Sequence, residues 1–215
     1  FRTNGYNGPW HIAKESPVVG FALYDEQCPV IVVKKMPSEA PQSFTLMHEL
    51  AHVLLHKKSW IDDEADLRAT EGREQQANLF AGLVLVPEHF LTAINDAERP
   101  ANVAAFDEWL KPQRRAWGVS TEVILRRLLA VGRLPRATYL AYRAWSLEIG
   151  KIIEDEGGNR MYRHREPKHI FGDRFVRTVL NSLSARRITL SKASGYLDGL
   201  KIADVHELER HYAGT

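Results

Sequence analysis

Residues 44 to 56 read Phe-Thr-Leu-Met-His-Glu-Leu-Ala-His-Val-Leu-Leu-His. A helix advances roughly 100° per residue, so His48 and His52 fall one turn apart on the same face, with Cβ atoms about 6 Å from each other. Two imidazoles so placed can grip one metal ion, and Glu49, one residue round the helix, can reach a water on that ion as general base. The rest of the chain is read relative to this helix.

A tetrahedral catalytic zinc needs a third protein donor and leaves its fourth position for water. A second helical pattern begins near Gly72, where Ala77, Phe80, Ala81, Val84 and Leu85 recur at intervals of three and four before Pro87 stops it. On that helix Glu74, Asn78 and Ala81 share a face, and Ala77 and Ala81 are small enough for close packing against the first helix. Glu74 is the candidate third ligand and Glu71 the fallback. Glu64 and Asp66 rank below them, because they sit in an acidic run where solvated side chains are the default. His56, one more turn along the histidine face, is read as a packing or supporting residue, since a fourth ligand would close the site. By itself the His-Glu-x-x-His helix is equally compatible with core histidines or a structural metal. Hydrolysis also needs a group to stabilise an oxyanion; Tyr24, His89, Tyr139 and Tyr142 are available, and the sequence does not choose among them.

Around these helices the chain reads as α+β. Val18 to Tyr24 and Pro29 to Val33 read as two strands joined at Asp25-Glu26-Gln27, a small antiparallel sheet ahead of the metal helix. Cys28, the lone cysteine, reads as the start of the second, buried strand and points to a reduced compartment. Residues 1 to 17 read as irregular, with Trp10 and Ile12 packing down. Ser43 is a plausible N-cap for the metal helix, and residues 57 to 71 read as a polar connecting loop. Ser120 caps a helix with Val123, Leu125, Leu128 and Leu129 as its apolar face, and Ala137 to Glu154 forms the next. Glu156 to Lys168, with two glycines and a proline, reads as a linker, followed by short helices at Asp173 to Ser184, Leu190 to Leu197 and Ala203 to Tyr212. The expected organisation is a zincin-like core over 1–110, a helical extension over 111–156 and a basic, partner-binding helical region over 157–215.

Composition excludes little but does locate the charge. Residues 1–110 carry a net −7 and residues 111–215 a net +9, which suggests an anionic partner for the second half or an electrostatic contact between the halves. No apolar run reaches the roughly 18–20 residues of a membrane span and no signal peptide is visible, so a cytoplasmic location is expected. The chain opens on Phe1 rather than Met, and we expect it to be part of a longer protein.

The segment from Phe44 to His52, followed by Glu74-Gln75-Gln76-Ala77-Asn78-Leu79-Phe80-Ala81 and then Val84-Leu85-Val86-Pro87, resembles the ImmA/IrrE family of zinc metallopeptidases. That family shows Phe-Thr-x-x-His-Glu-Leu-Gly-His and then Glu-x-x-Ala-Asn-x-Phe-Ala before Leu-x-x-Pro. Ala51 stands where Gly is usual, a change a helix interior accepts readily. The resemblance is strong over about 18 to 90. It implies that His48, His52 and Glu74 bind zinc and that Glu49 activates the water. The remainder resembles the helical extension of longer members that begin with a helix-turn-helix DNA-binding domain, some encoded as the antitoxin beside a small toxin.

Three readings of function follow. The first is a zinc metallopeptidase making a limited cut in a regulatory protein such as a transcriptional repressor. The second is a non-catalytic, antitoxin-type protein that binds a cognate toxin through its C-terminal half. The third is direct nucleic-acid binding, with Arg114, Arg115, Arg126, Arg127, Arg186 and Arg187 as the charge. DNA contact is otherwise expected only through a helix-turn-helix domain outside this chain. No membrane partner is expected, and a homodimer is allowed.

Overall fold

The computed structural model describes residues 1–3, 11–13, 15–36, 38–69, 71–150 and 166–213. The chain forms two compact units. The larger comprises Pro17–Ile31 and Met36–Glu156, and the smaller Phe1–Ser16, Val32–Lys35 and Gly157–Thr215.

Three strands, β1 (Val18–Leu23), β2 (Val30–Val33) and β3 (Trp60–Asp63), form a sheet of order β2-β1-β3. The third lies inside the stretch read from sequence as a loop. It pairs antiparallel with β1, Gly20 opposite Asp62 and Ala22 opposite Trp60, with an irregularity between Val18 and Gly20. Cys28 is free and exposed in the turn between β1 and β2, not the start of a buried strand, and its N–H donates to Asp25 Oδ1 at 2.8 Å.

Helix α1 (Glu39–Ala51) has its N-cap at Ser38, five residues before Ser43. Pro41 does not prevent this, because N–H groups in a first turn have no intrahelical partner to lose. α1 then widens into a π turn over His52–His56, closed by a bond of 2.9 Å from Lys57 N–H to His52 O. Lys57 itself is left-handed, with φ of 50°, which ends the helix.

Helix α2 (Gly72–Leu85) lies against α1, with Ala51, Ala77 and Ala81 fully buried. These three methyl side chains let the two backbones approach closely. Short turns lead to α3 (Phe106–Trp109) and α4 (Lys111–Trp117), then α5 (Thr121–Ala130) and α6 (Arg136–Gly150). Ser120 caps α5 as its sequence position predicts, its hydroxyl accepting from Val123 N–H at 3.4 Å. Phe106, Leu110, Ile124, Leu125 and Leu128, none of them exposed, form the centre of this unit's core. The last residues of the helix expected over Ala137 to Glu154 lie outside the described residues.

The smaller unit packs α7 (Glu166–Phe171), α8 (Asp173–Ser184), α9 (Leu190–Tyr196) and α10 (Ile202–Ala213) around Val176, Leu197, Val205 and Leu208. Thr189 caps α9. Thr3 N–H donates to Val33 O at 2.8 Å and Arg2 N–H to Ile170 O at 3.1 Å, so the chain's first residues belong to this unit. Most of the expected linker at 156–168 lies outside the described residues, and its end, Glu166 to Lys168, is the first turn of α7. Trp10 is also outside them; Ile12 is half-buried. Among the described residues no helix is long and apolar enough to cross a membrane.

Candidate metal centre

α1 carries His48 and Glu49 inward, both fully buried, and the π turn places His52 beside them. π turns recur at functional sites because the extra residue re-aims side chains within a helix. Through the close α1–α2 contact, Glu74 Oε2 lies 3.0 Å from His48 Nε2 and 3.3 Å from His52 Nε2. The two Nε2 atoms are 3.1 Å apart. The structure thus brings together His48, His52 and Glu74, with Glu49 buried alongside.

It adds a residue that the sequence reading left in the acidic run. Asp62, on β3, is fully buried, and its Oδ2 lies 3.4 Å from both Nε2 atoms. His48, His52, Asp62 and Glu74 offer donor atoms all within 4.8 Å of one another. A tetrahedron with arms of about 2.0–2.1 Å, the lengths of zinc bonds to His nitrogen and carboxylate oxygen, has edges of about 3.3–3.4 Å. The mutual spacing of His48, His52 and Glu74, and the distance of Asp62 from both imidazoles, therefore suit donors gathered around one divalent ion. The signal that could have found Asp62 is Trp60-Ile61-Asp62-Asp63 as a strand with period-two alternation.

The charge points the same way. Both carboxylate oxygens of Glu49, both of Asp62 and Oε1 of Glu74 are buried without a hydrogen-bond partner. Buried carboxylates in that condition are costly unless a cation meets them. Loss of water, then the negative charge of Asp62, pushes Glu49 up to about 10. Asp62 is itself opposed by burial, yet the two imidazoles beside it hold its carboxyl below the usual carboxylate range. Burial and then Asp62 raise Glu74.

The remaining ring nitrogens are held by a surrounding shell. Asn78 Nδ2 donates to Asp66 O at 3.1 Å and Ala69 O at 3.3 Å, which turns its Oδ1 toward His48 Nδ1 at 3.0 Å. His48 must then carry its hydrogen on Nδ1, leaving Nε2 bare. His52 Nδ1 lies 2.8 Å from His56 Nδ1, and His56 Nε2 is 3.2 Å from Gln76 Oε1. With His56 donating to Gln76, its Nδ1 accepts from His52, and His52 Nε2 is bare as well. Trp60 stacks on His52, with ring centroids 5.7 Å apart and planes 9° from parallel.

The groups considered for an oxyanion are placed as follows. Tyr139 contacts Glu122 and Arg126 through its hydroxyl, and Tyr142 donates to Asp107. His89 packs edge-on to Phe90, and Tyr24 N–H donates to Ser59. Glu71 is the extended N-cap residue just before α2 and lines a neighbouring cavity rather than the metal centre, and Glu64 is exposed beside Arg68.

A buried His-Glu-x-x-His helix crossed by a glutamate-bearing second helix is the arrangement of a zincin-like metallopeptidase. The chain belongs to the IrrE N-terminal-like domain family, peptidase family M78, whose model matches residues 14–129. The match extends beyond the 18–90 carried by the motifs, reaching Leu129 in α5. No curated protein and no solved structure gives a significant match.

Proposed function

We propose that this protein is a zinc-dependent metallopeptidase making a limited cut in a regulatory protein such as a transcriptional repressor. The observation that carries the reading is the set of bare donors, His48 Nε2, His52 Nε2 and Glu74 Oε2, 3.0–3.3 Å apart beside the unpaired carboxylate of Glu49. His48, His52 and Glu74 are the ligands, and Asp62 is a further donor that balances charge. Bound there, zinc supplies Lewis acidity toward a scissile carbonyl and lowers the pKa of water. Glu49, its carboxylate buried and unpaired beside these donors, would take a proton from the attacking water and return it to the leaving amine. The choice of a repressor as substrate rests on the family resemblance.

One observation favours a second reading. With Asp62 counted, the site has four protein donors, the number that closes a structural zinc. The core would then be a scaffold, with the basic C-terminal helices binding a partner such as an acidic toxin.

The test is to purify the chain, measure bound zinc, and compare wild type with Glu49→Gln against co-expressed repressor and neighbouring-gene proteins. We expect equal zinc in both and cleavage by wild type alone. If wild type leaves every candidate intact yet holds one tightly, the scaffold reading replaces the enzyme. A chain with no zinc and no affinity for it sinks the ligand assignment.

A further inference from the structure

Helix α2 has two adjacent faces in use. One turns Glu74 and Asn78 toward α1. The other, with Gln75, Leu79 and Gly82 and with Asn78 at its edge, walls a cavity of about 400 Å³ completed by Phe44 of α1, the turn before α2, and residues of α5 and α6. That volume is in the range of small-molecule sites.

The cavity's charge is one-sided, with Arg68, Arg126, Arg127, Arg136 and Arg143 facing a single glutamate, Glu71. Arg126 is already neutralised, its NH2 lying 2.7 Å from Glu122 Oε1 and its NH1 2.9 Å from Leu67 O. Arg127 is not. It is only 7% exposed, its Nε donates to Val86 O at 2.9 Å, and among the described residues no carboxylate pairs with it. Its stem runs directly over Gly82, where a Cβ would stand 3.4 Å from Arg127 Cδ. Arg136 and Arg143 of α6 likewise have no ion pair among the described residues, and Arg136 is exposed.

A guanidinium does not shed its proton at physiological pH, so a buried one without a counter-charge remains an electrostatic cost until an anion meets it. Beside it, Leu79 and Leu140 line the same cavity and are 49% and 47% exposed, apolar surface whose removal from water by a ligand would be favourable.

We propose that this cavity binds a small organic anion, its phosphate or carboxylate group held by Arg127, Arg136 and Arg143 and its flat apolar body laid against Leu79 and Leu140. Guanidinium groups fork around either anion with paired, charge-assisted hydrogen bonds. Asn78, whose Oδ1 meets His48, also lines this cavity, but none of the four metal donors does, so occupancy does not require zinc.

Calorimetric titration of the purified full chain with adenosine monophosphate, 2-naphthoate and inorganic phosphate tests this. We expect at least one organic anion to saturate one site with Kd on the order of 100 μM or tighter, and the Arg136→Gln/Arg143→Gln double variant to weaken it about 10-fold or more. An unchanged unfolding midpoint in that variant shows the fold is kept, and the same titration after zinc removal should give the same Kd. Tighter binding of the nucleotide supports a phosphate ligand, and of the naphthoate a carboxylate. The proposal is overturned if neither organic anion saturates below about 1 mM, if the double variant binds like wild type, or if inorganic phosphate binds as tightly as either.

Discussion

Asn78 Oδ1 and His48 Nδ1 lie 3.0 Å apart, and the amide is pinned for that role by the carbonyls of Asp66 and Ala69. The bond fixes the tautomer that leaves Nε2 free for a metal. Removing such a partner of a ligating histidine typically lowers metal affinity 10- to 100-fold. Asn78→Ala should therefore weaken zinc by roughly that factor, read by competition with a chromophoric chelator. An unchanged affinity would show that the amide only packs.

The His52–His56–Gln76 chain makes a parallel claim on the second imidazole. His56→Phe keeps a ring but removes the acceptor for His52 Nδ1, so zinc affinity should fall about 10-fold, while Gln76→Glu should raise affinity by strengthening the acceptor for His56 Nε2. If His56→Phe binds zinc like wild type, the relay has no hold on His52.

Asp62 separates the two functional readings. As a fourth donor in a closed site, its loss should cost zinc affinity about 100-fold or more. If it mainly balances charge around three ligands, Asp62→Ala should keep stoichiometric zinc with a loss nearer 10-fold. Peptidase activity surviving in Asp62→Ala would place the fourth position with water.

Asp96 gives a pH dependence away from the metal. Burial works against its charge, but Arg133 at 2.7 Å and Arg99 at 2.6 Å hold its carboxyl below the ordinary value of 3.8. A depressed folded-state pKa contributes stability that is complete well above the unfolded pKa and is lost as pH falls through the folded one. Because the carboxylate is 37% exposed, solvent screening limits the term to about 1 kcal/mol. The gap in unfolding midpoint between wild type and Asp96→Asn, measured with chelator present, should be constant above about pH 5 and close as pH drops further. A gap that widens on acidification would reverse the sign.

Much of the centre was legible because it is local. His48, Glu49 and His52 follow from helical spacing, and Glu74 from a second periodic block in the right order. Asp62 was not, for a physical reason. In β3 the residue turned inward is the aspartate, fully buried, while its neighbour Ile61 is 67% exposed, the reverse of the polarity by which strands are read. Four residues in an acidic run give too short a pattern to correct that. The early start of α1 was hidden by Pro41, which a first turn tolerates. Of the arginines read as a charged surface, Arg126 and Arg127 turn inward, because Glu122 and the Val86 carbonyl meet them there. Arg114 contacts Asp107.

The pairing of Gly20 with Asp62 bears on the order in which the molecule assembles. The two histidines meet as soon as one helical turn forms, but the carboxylates arrive only when β1 has found β3 and α2 has docked on α1. Contacts between distant parts of a chain form slowly, since the intervening loop must be closed first. A nascent chain therefore holds half a site before it holds a whole one, and tight metal retention waits on both of these long-range contacts.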